Sequence, residues 1–101
     1  MGYTLIRYSV KGAELDANRA LVTKVFEALG EASPPAVRYL VLEQDDGEFI
    51  HIVSQDKDSS AITGLAAFKA FSADHAERRS APVVRSSAKA VGNYRMLAAT
   101  E

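Results

Sequence analysis

Hydrophobic and polar residues alternate from Tyr3 to Val10, with Ile6, Tyr8 and Val10 on one side and Tyr3, Leu5, Arg7 and Ser9 on the other. That period of two predicts a strand. After Lys11-Gly12 the period lengthens: Leu15, Val22, Val25, Phe26 and Leu29 form one helical stripe, which predicts a helix over about 13–30. Acidic residues sit in its first turn, where the helix dipole favours them; Gly30 suits the position after its end, and Pro34-Pro35 forbids continuation. Two β-rich runs follow, about 36–44 and 48–54, around an Asp46-Gly47 turn signal. A polar stretch from Ser54 to Ser60 offers N-cap candidates in Asp58, Ser59 and Ser60. Ile62, Leu65, Phe68 and Phe71, set among alanines, predict a second helix over about 62–79, stopped by Pro82. Two β-prone pieces close the chain, Val83–Arg85 and Val91–Leu97, and a bulge near 86–90 would let one irregular strand carry both.

The order is β-α-β-β-α-β, an α+β, ferredoxin-like arrangement. Right-handed crossovers then place both helices on one face of a four-stranded antiparallel sheet. The strands are not polar on their second side: Tyr39 and Val41 oppose Leu40 and Leu42, and Phe49 and Val53 oppose Ile50 and Ile52. A sheet face left in water should read polar. A second copy of the chain is the simplest cover, so a C₂ homodimer with two sheets face to face is expected. A length of 101 residues fits one domain, 1–101.

Three stretches carry a resemblance: Arg38-Tyr-Leu-Val-Leu-Glu with Asp-Asp-Gly-Glu-Phe-Ile-His-Ile-Val53, Leu65-Ala-Ala-Phe-Lys-Ala-Phe71, and Val91-Gly-Asn-Tyr-Arg95. Together with the element order over most of the chain, they resemble the dimeric α+β barrel superfamily, in its branch of antibiotic-biosynthesis-monooxygenase-like proteins. The resemblance rests on hydrophobic pattern, without a catalytic signature. It implies a ligand cavity between helices and sheet within each subunit. It also implies a cofactor-independent monooxygenase, in which an aromatic or polycyclic substrate itself reduces O₂. Haem-degrading members pair a histidine on the second helix with a first-strand Asn and a second-helix Trp. This chain has His75 but no Trp and no first-strand Asn, so no cofactor is expected.

Composition narrows the partners. Net charge is −1, so no strong pull toward nucleic acid or membrane is implied, although residues 61–101 carry six Lys/Arg against three Asp/Glu. The absence of cysteine removes disulfides and thiolate sites. Phosphate loops, dinucleotide glycines, metal-ligand spacings and nucleophile elbows are also missing. No stretch reads as a signal peptide or membrane span, so a cytoplasmic location is expected.

His51 is the first candidate for chemistry, a polar handle inside an apolar strand that could serve as a general base or ligand anchor. The turn leaves its cross-strand partner open between Leu42 and Val41. His75 shares a helix face with Phe68 and Phe71 and would stand at a cavity mouth, or be an exposed helix-end residue. Tyr8, Tyr39 and Tyr94 offer hydroxyls beside apolar rings, and Tyr39 and Tyr94 are taken as ligand hydrogen-bonding partners. Phe26, Phe68 and Phe71 would form walls. Arg7, Arg38 and Arg95 are strand arginines; one turned inward would need an anion or a carboxylate such as Glu43, and Arg7 is taken as a ligand contact. The function expected is small-molecule binding in a homodimeric barrel. The rivals are a non-catalytic assembly module without a cavity of ~300 Å³ or more, and isomerase or lyase chemistry in the same pocket.

Overall fold

The computed structural model describes residues 2–97. Strand β1 (Gly2–Ser9) leads through a single 3₁₀ turn at Gly12–Glu14 into helix α1 (Leu15–Ala32). The hairpin β2 (Arg38–Glu43) and β3 (Glu48–Ser54) follows, then α2 (Ala66–Ala73), the short α3 (His75–Arg78) and β4 (Val84–Lys89). The four strands form one antiparallel sheet in the order β2-β3-β1-β4, the ferredoxin-like α+β arrangement.

The hairpin turn is built as its sequence suggests. The Gly47 amide donates to the Gln44 carbonyl at 3.0 Å, the Gln44 amide to the Glu48 carbonyl at 2.8 Å, and Gly47 takes φ 88°. That left-handed backbone favours a residue without Cβ. The turn also ties down the end of β1, because the Val10 amide donates to the Gly47 carbonyl at 3.1 Å.

Helix α1 runs two residues beyond Gly30 and stops at Ser33, whose φ of 45° puts it in the left-handed cap conformation and whose amide donates to the Leu29 carbonyl. The second helix starts later than its apolar spacing predicts. Ala61 to Gly64 form a turn closed by the Gly64 amide on the Ser60 carbonyl, and Leu65 is extended. Only from Ala66 does the chain become helical, and it breaks again at Asp74. The last strand differs most. The small polar segment expected to be a bulge is β4 itself, while 91–97 lies outside the sheet. Pairing with β1, Gly2 opposite Lys89 through Arg7 opposite Val84, overrides the weak strand preference of Ser and Ala.

On one sheet face Tyr8, Val10, Val25, Phe49 and Phe71 make the core, with Leu15, Leu29, Val41 and Phe68 packed around it. Helix α1 is further joined to β2 by Arg19, whose Nε and Nη2 reach both oxygens of Glu43 at 2.7 Å. The other face is largely open: Leu40, Leu42 and Val84 remain 45%, 46% and 52% exposed. Among the described residues no helix is long and apolar enough to cross a membrane.

Candidate functional site

Strand register decides what surrounds His51. On the helix-covered face His51 lies opposite Ile6 of β1 and Val41 of β2, which settles the choice between Val41 and Leu42. Tyr8 pairs with Phe49 and Tyr39 with Val53, so both tyrosines are diagonal neighbours of His51, one on each side. Their hydroxyls close on the imidazole, Tyr8 at 2.7 Å from Nε2 and Tyr39 at 2.7 Å from Nδ1. The chain of contacts continues inward. Asn18 of α1 donates Nδ2–H to the Tyr8 hydroxyl at 3.2 Å, and Arg78 of α3 donates Nε–H to Asn18 Oδ1 at 3.0 Å. Arg78 also donates to the Phe71 carbonyl and lies 5.2 Å from the centre of the Phe71 ring. Its buried charge is therefore met by carbonyl oxygens and an aromatic face.

Burial sets the protonation of this chain. His51 is 4% exposed, and burial, helped by nearby His75, lowers its pKa to about 4. Burial pushes Tyr8 up to about 12 against the opposing pull of Asn18 and Arg78, and it raises Tyr39 as well. At neutral pH a neutral imidazole sits between two neutral phenols. His75 is also lowered to about 4, by burial first and then by Arg79 and Arg78.

Beside this chain lies a cavity of about 380 Å³ between the sheet and α2, lined by Tyr8, Tyr39, His51, Phe68, Phe71 and His75, with Ile6, Ser72, Val83 and Arg85. A second hollow of about 360 Å³ shares Ile6, Tyr39, Phe68 and Arg85 with it and reaches Gln55 and Ile62. The His75 ring stands edge-on to Tyr8 at 4.4 Å, and its buried Nε2 has no hydrogen-bond partner. No carboxylate is among the described residues lining the His51 cavity. The site suits an aromatic molecule held by stacking, with a few polar groups to orient it. Among the described residues no cluster of His, Cys, Asp or Glu could hold a metal ion.

The residues singled out from the sequence divide into two groups. His51, Tyr39, Phe68, Phe71 and His75 share the cavity. Phe26 packs against Tyr39 with ring centres 4.9 Å apart and tilted by 34°, but lines the separate groove of about 690 Å³ between α1 and β2. Arg7 pairs with Ile50 on the opposite, open face of the sheet and is exposed, because strand alternation turns it away from Ile6 and Tyr8. Tyr94 is 79% exposed under the Arg95 guanidinium, outside the sheet in which it was expected. Glu43 is bonded by Arg19 rather than by a strand arginine. Two residues of the chain were missed, Asn18 and Arg78. Asn18 had a signal, since it is a polar residue on the α1 stripe, three after Leu15 and seven before Val25.

No family model matches the sequence, and no curated protein matches it. Solved structures do match. A provisionally named antibiotic biosynthesis monooxygenase from Nitrosomonas europaea aligns with a TM-score of 0.72 at 18% identity, covering 89% of each chain. A protein given the same provisional name from Bacteroides thetaiotaomicron aligns at 0.74 with 11% identity, over 96% of this chain and 95% of that one. Rv0793 from Mycobacterium tuberculosis aligns at 0.69 with 18% identity, over 91% of this chain and 96% of that one. This chain therefore shares the ferredoxin-like α+β fold of these solved structures, two of which carry the provisional name antibiotic biosynthesis monooxygenase.

Proposed function

We propose that the chain forms a homodimer whose subunits each bind an aromatic or polycyclic small molecule at His51 and oxidise it with O₂ without a cofactor. The observation that carries this reading is the cavity of about 380 Å³ with aromatic walls and a doubly hydrogen-bonded histidine. Its size falls in the small-ligand range, roughly 300–1,000 Å³. The fold likeness to proteins named as antibiotic biosynthesis monooxygenases supports the reaction class.

In the proposed reaction a ring CH₂ conjugated with a carbonyl through the aromatic system loses a proton and becomes an enolate. The enolate's electrons reduce O₂: one oxygen stays on the carbon, the other leaves as water, and CH₂ ends as C=O. His51 acts as the anchor of this site, since both its nitrogens are engaged by Tyr8 and Tyr39. His75 Nε2, without a partner, is the nitrogen free to meet the proton. The apolar walls exclude water from the enolate, so hydrogen bonds to its oxygen count for more.

The open sheet face, on which Leu40, Leu42 and Val84 stay about half exposed, supports the homodimer. A purely filled interior, the alternative for a non-catalytic module, is at odds with the cavity. Oxygen uptake with anthrones, which carry such a CH₂, tests the reaction. Turnover that falls at least tenfold in His75→Ala and His51→Ala supports it; binding without turnover reduces the protein to a carrier.

A further inference from the structure

The direction of the hydrogen-bond chain is fixed from its buried end. Arginine has only donors, so the Asn18 oxygen must face Arg78 and its NH₂ must face Tyr8. Tyr8 then accepts from Asn18 and keeps its own hydrogen to donate. In a residue 3% exposed that hydrogen has one partner, His51 Nε2 at 2.7 Å. Were Nε2 protonated instead, the buried Tyr8 hydrogen would have no acceptor, an arrangement that folded proteins avoid. His51 is neutral, so with Nε2 accepting, its proton is on Nδ1 and is donated to the Tyr39 oxygen at 2.7 Å. Tyr39 has accepted once and retains its O–H hydrogen, which has no acceptor among the described residues.

We propose that Arg78 is a positioning residue that sets this direction through Asn18, Tyr8 and His51. Tyr39 O–H thereby becomes an obligate donor that selects ligands carrying an acceptor oxygen, an aryl ketone or its enolate. The inference rests on the proposed ligand site and adds what the ligand must present there. The lining agrees with it: no carboxylate lines the His51 cavity, and Asp56, in the adjoining hollow that Tyr39 shares, is not hydrogen-bonded to the Tyr39 hydroxyl, whose partner is His51. Arg85 also suits an oxygen that carries negative charge.

Nitrogen-15 NMR of the imidazoles in the intact, ligand-free protein reads the direction without any ligand. The expected result is a pyrrole-type Nδ1 and a pyridine-type Nε2 at His51; the reverse assignment overturns the proposal. Arg78→Met should yield a mixture of tautomers and Arg78→Lys, which keeps a donor, should restore the single form. If Arg78→Met does not fold, the unmodified protein still decides. For the ligand, fluorenone is compared with fluorene, its analogue lacking the carbonyl. The ketone should bind about tenfold more tightly, and Tyr39→Phe should bring the two close to parity. An unchanged preference in Tyr39→Phe overturns the selection by Tyr39. Binding of neither tricycle removes the ligand site itself, while the tautomer result still stands or falls alone.

Discussion

The Tyr39 hydroxyl and His51 Nδ1 lie 2.7 Å apart across the β2–β3 pair, although the two residues are diagonal rather than directly opposite. A long aromatic side chain spans that diagonal and brings its polar tip onto the imidazole edge. Tyr8 does the same from β1. His51 is thus held in one orientation from two strands.

Removing the inner partner should cost more than removing the outer one. Tyr8→Phe strands His51 Nε2 and Asn18 Nδ2 in the core, and a loss of about 2–3 kcal/mol in urea unfolding is expected. Tyr39→Phe faces the cavity, where water can replace the hydroxyl, and should cost about 1 kcal/mol. Equal costs for the two substitutions would mean that the chain is not anchored from its buried end.

Stability should fall as acid is added well before the carboxylates titrate. Folding lowers the His51 pKa from 6.5 to about 4, so between these values the unfolded chain binds more protons than the folded one. The contribution is complete above pH 6.5 and is lost progressively as pH falls toward 4; the shift corresponds to ~3 kcal/mol. His75 is shifted in the same direction, and its contribution acts over the same window. Urea midpoints measured from pH 7.5 to 4 should show this decline, and His51→Gln should flatten it.

Two glycines should respond oppositely to alanine. Gly47 holds φ 88°, where a Cβ is strained, so Gly47→Ala should destabilise by about 1–2 kcal/mol. Gly30 lies inside α1 with open space where a Cβ would go, and Gly30→Ala should stabilise by about 0.5–1 kcal/mol. Thermal melts of both variants check the pair.

The open sheet face makes its own prediction. Leu40 and Leu42, 45% and 46% exposed, lie on the face away from the helices. Leu42→Glu would place a charge there, and desolvating that charge opposes association. Sedimentation equilibrium should report a dimer for the unmodified chain and a monomer for Leu42→Glu; a monomer in both cases removes the homodimer.

Period and turn chemistry carried most of the fold. The Asp46-Gly47 signal located the hairpin, and the stripe from Leu15 to Leu29 located α1. The errors fell where tertiary contacts overrule local preference. Leu65 continues an apolar helical spacing yet is extended, and Ser86-Ser87 form a strand only because β1 lies beside them. The site was half legible. Alternation could group Tyr8 with Ile6 but could not settle the register that brings it to His51, because β1 and β3 are joined by no turn that would fix their pairing and a slip of one residue changes every partner. Arg7 and Tyr94 carried the right chemistry on the wrong surfaces, one turned by strand alternation and one outside the sheet. Arg78 stands seven residues after Phe71, the spacing of one helical face, but nothing in the sequence shows that this cation is buried.

The most direct test of the cavity at His51 is an anaerobic titration with anthrone, followed through the His51 and His75 ring resonances. Both should move saturably while residues of the open face such as Leu42 stay fixed. Ring signals that do not move at millimolar anthrone, or shifts confined to the open face, would contradict a ligand site between the sheet and α2.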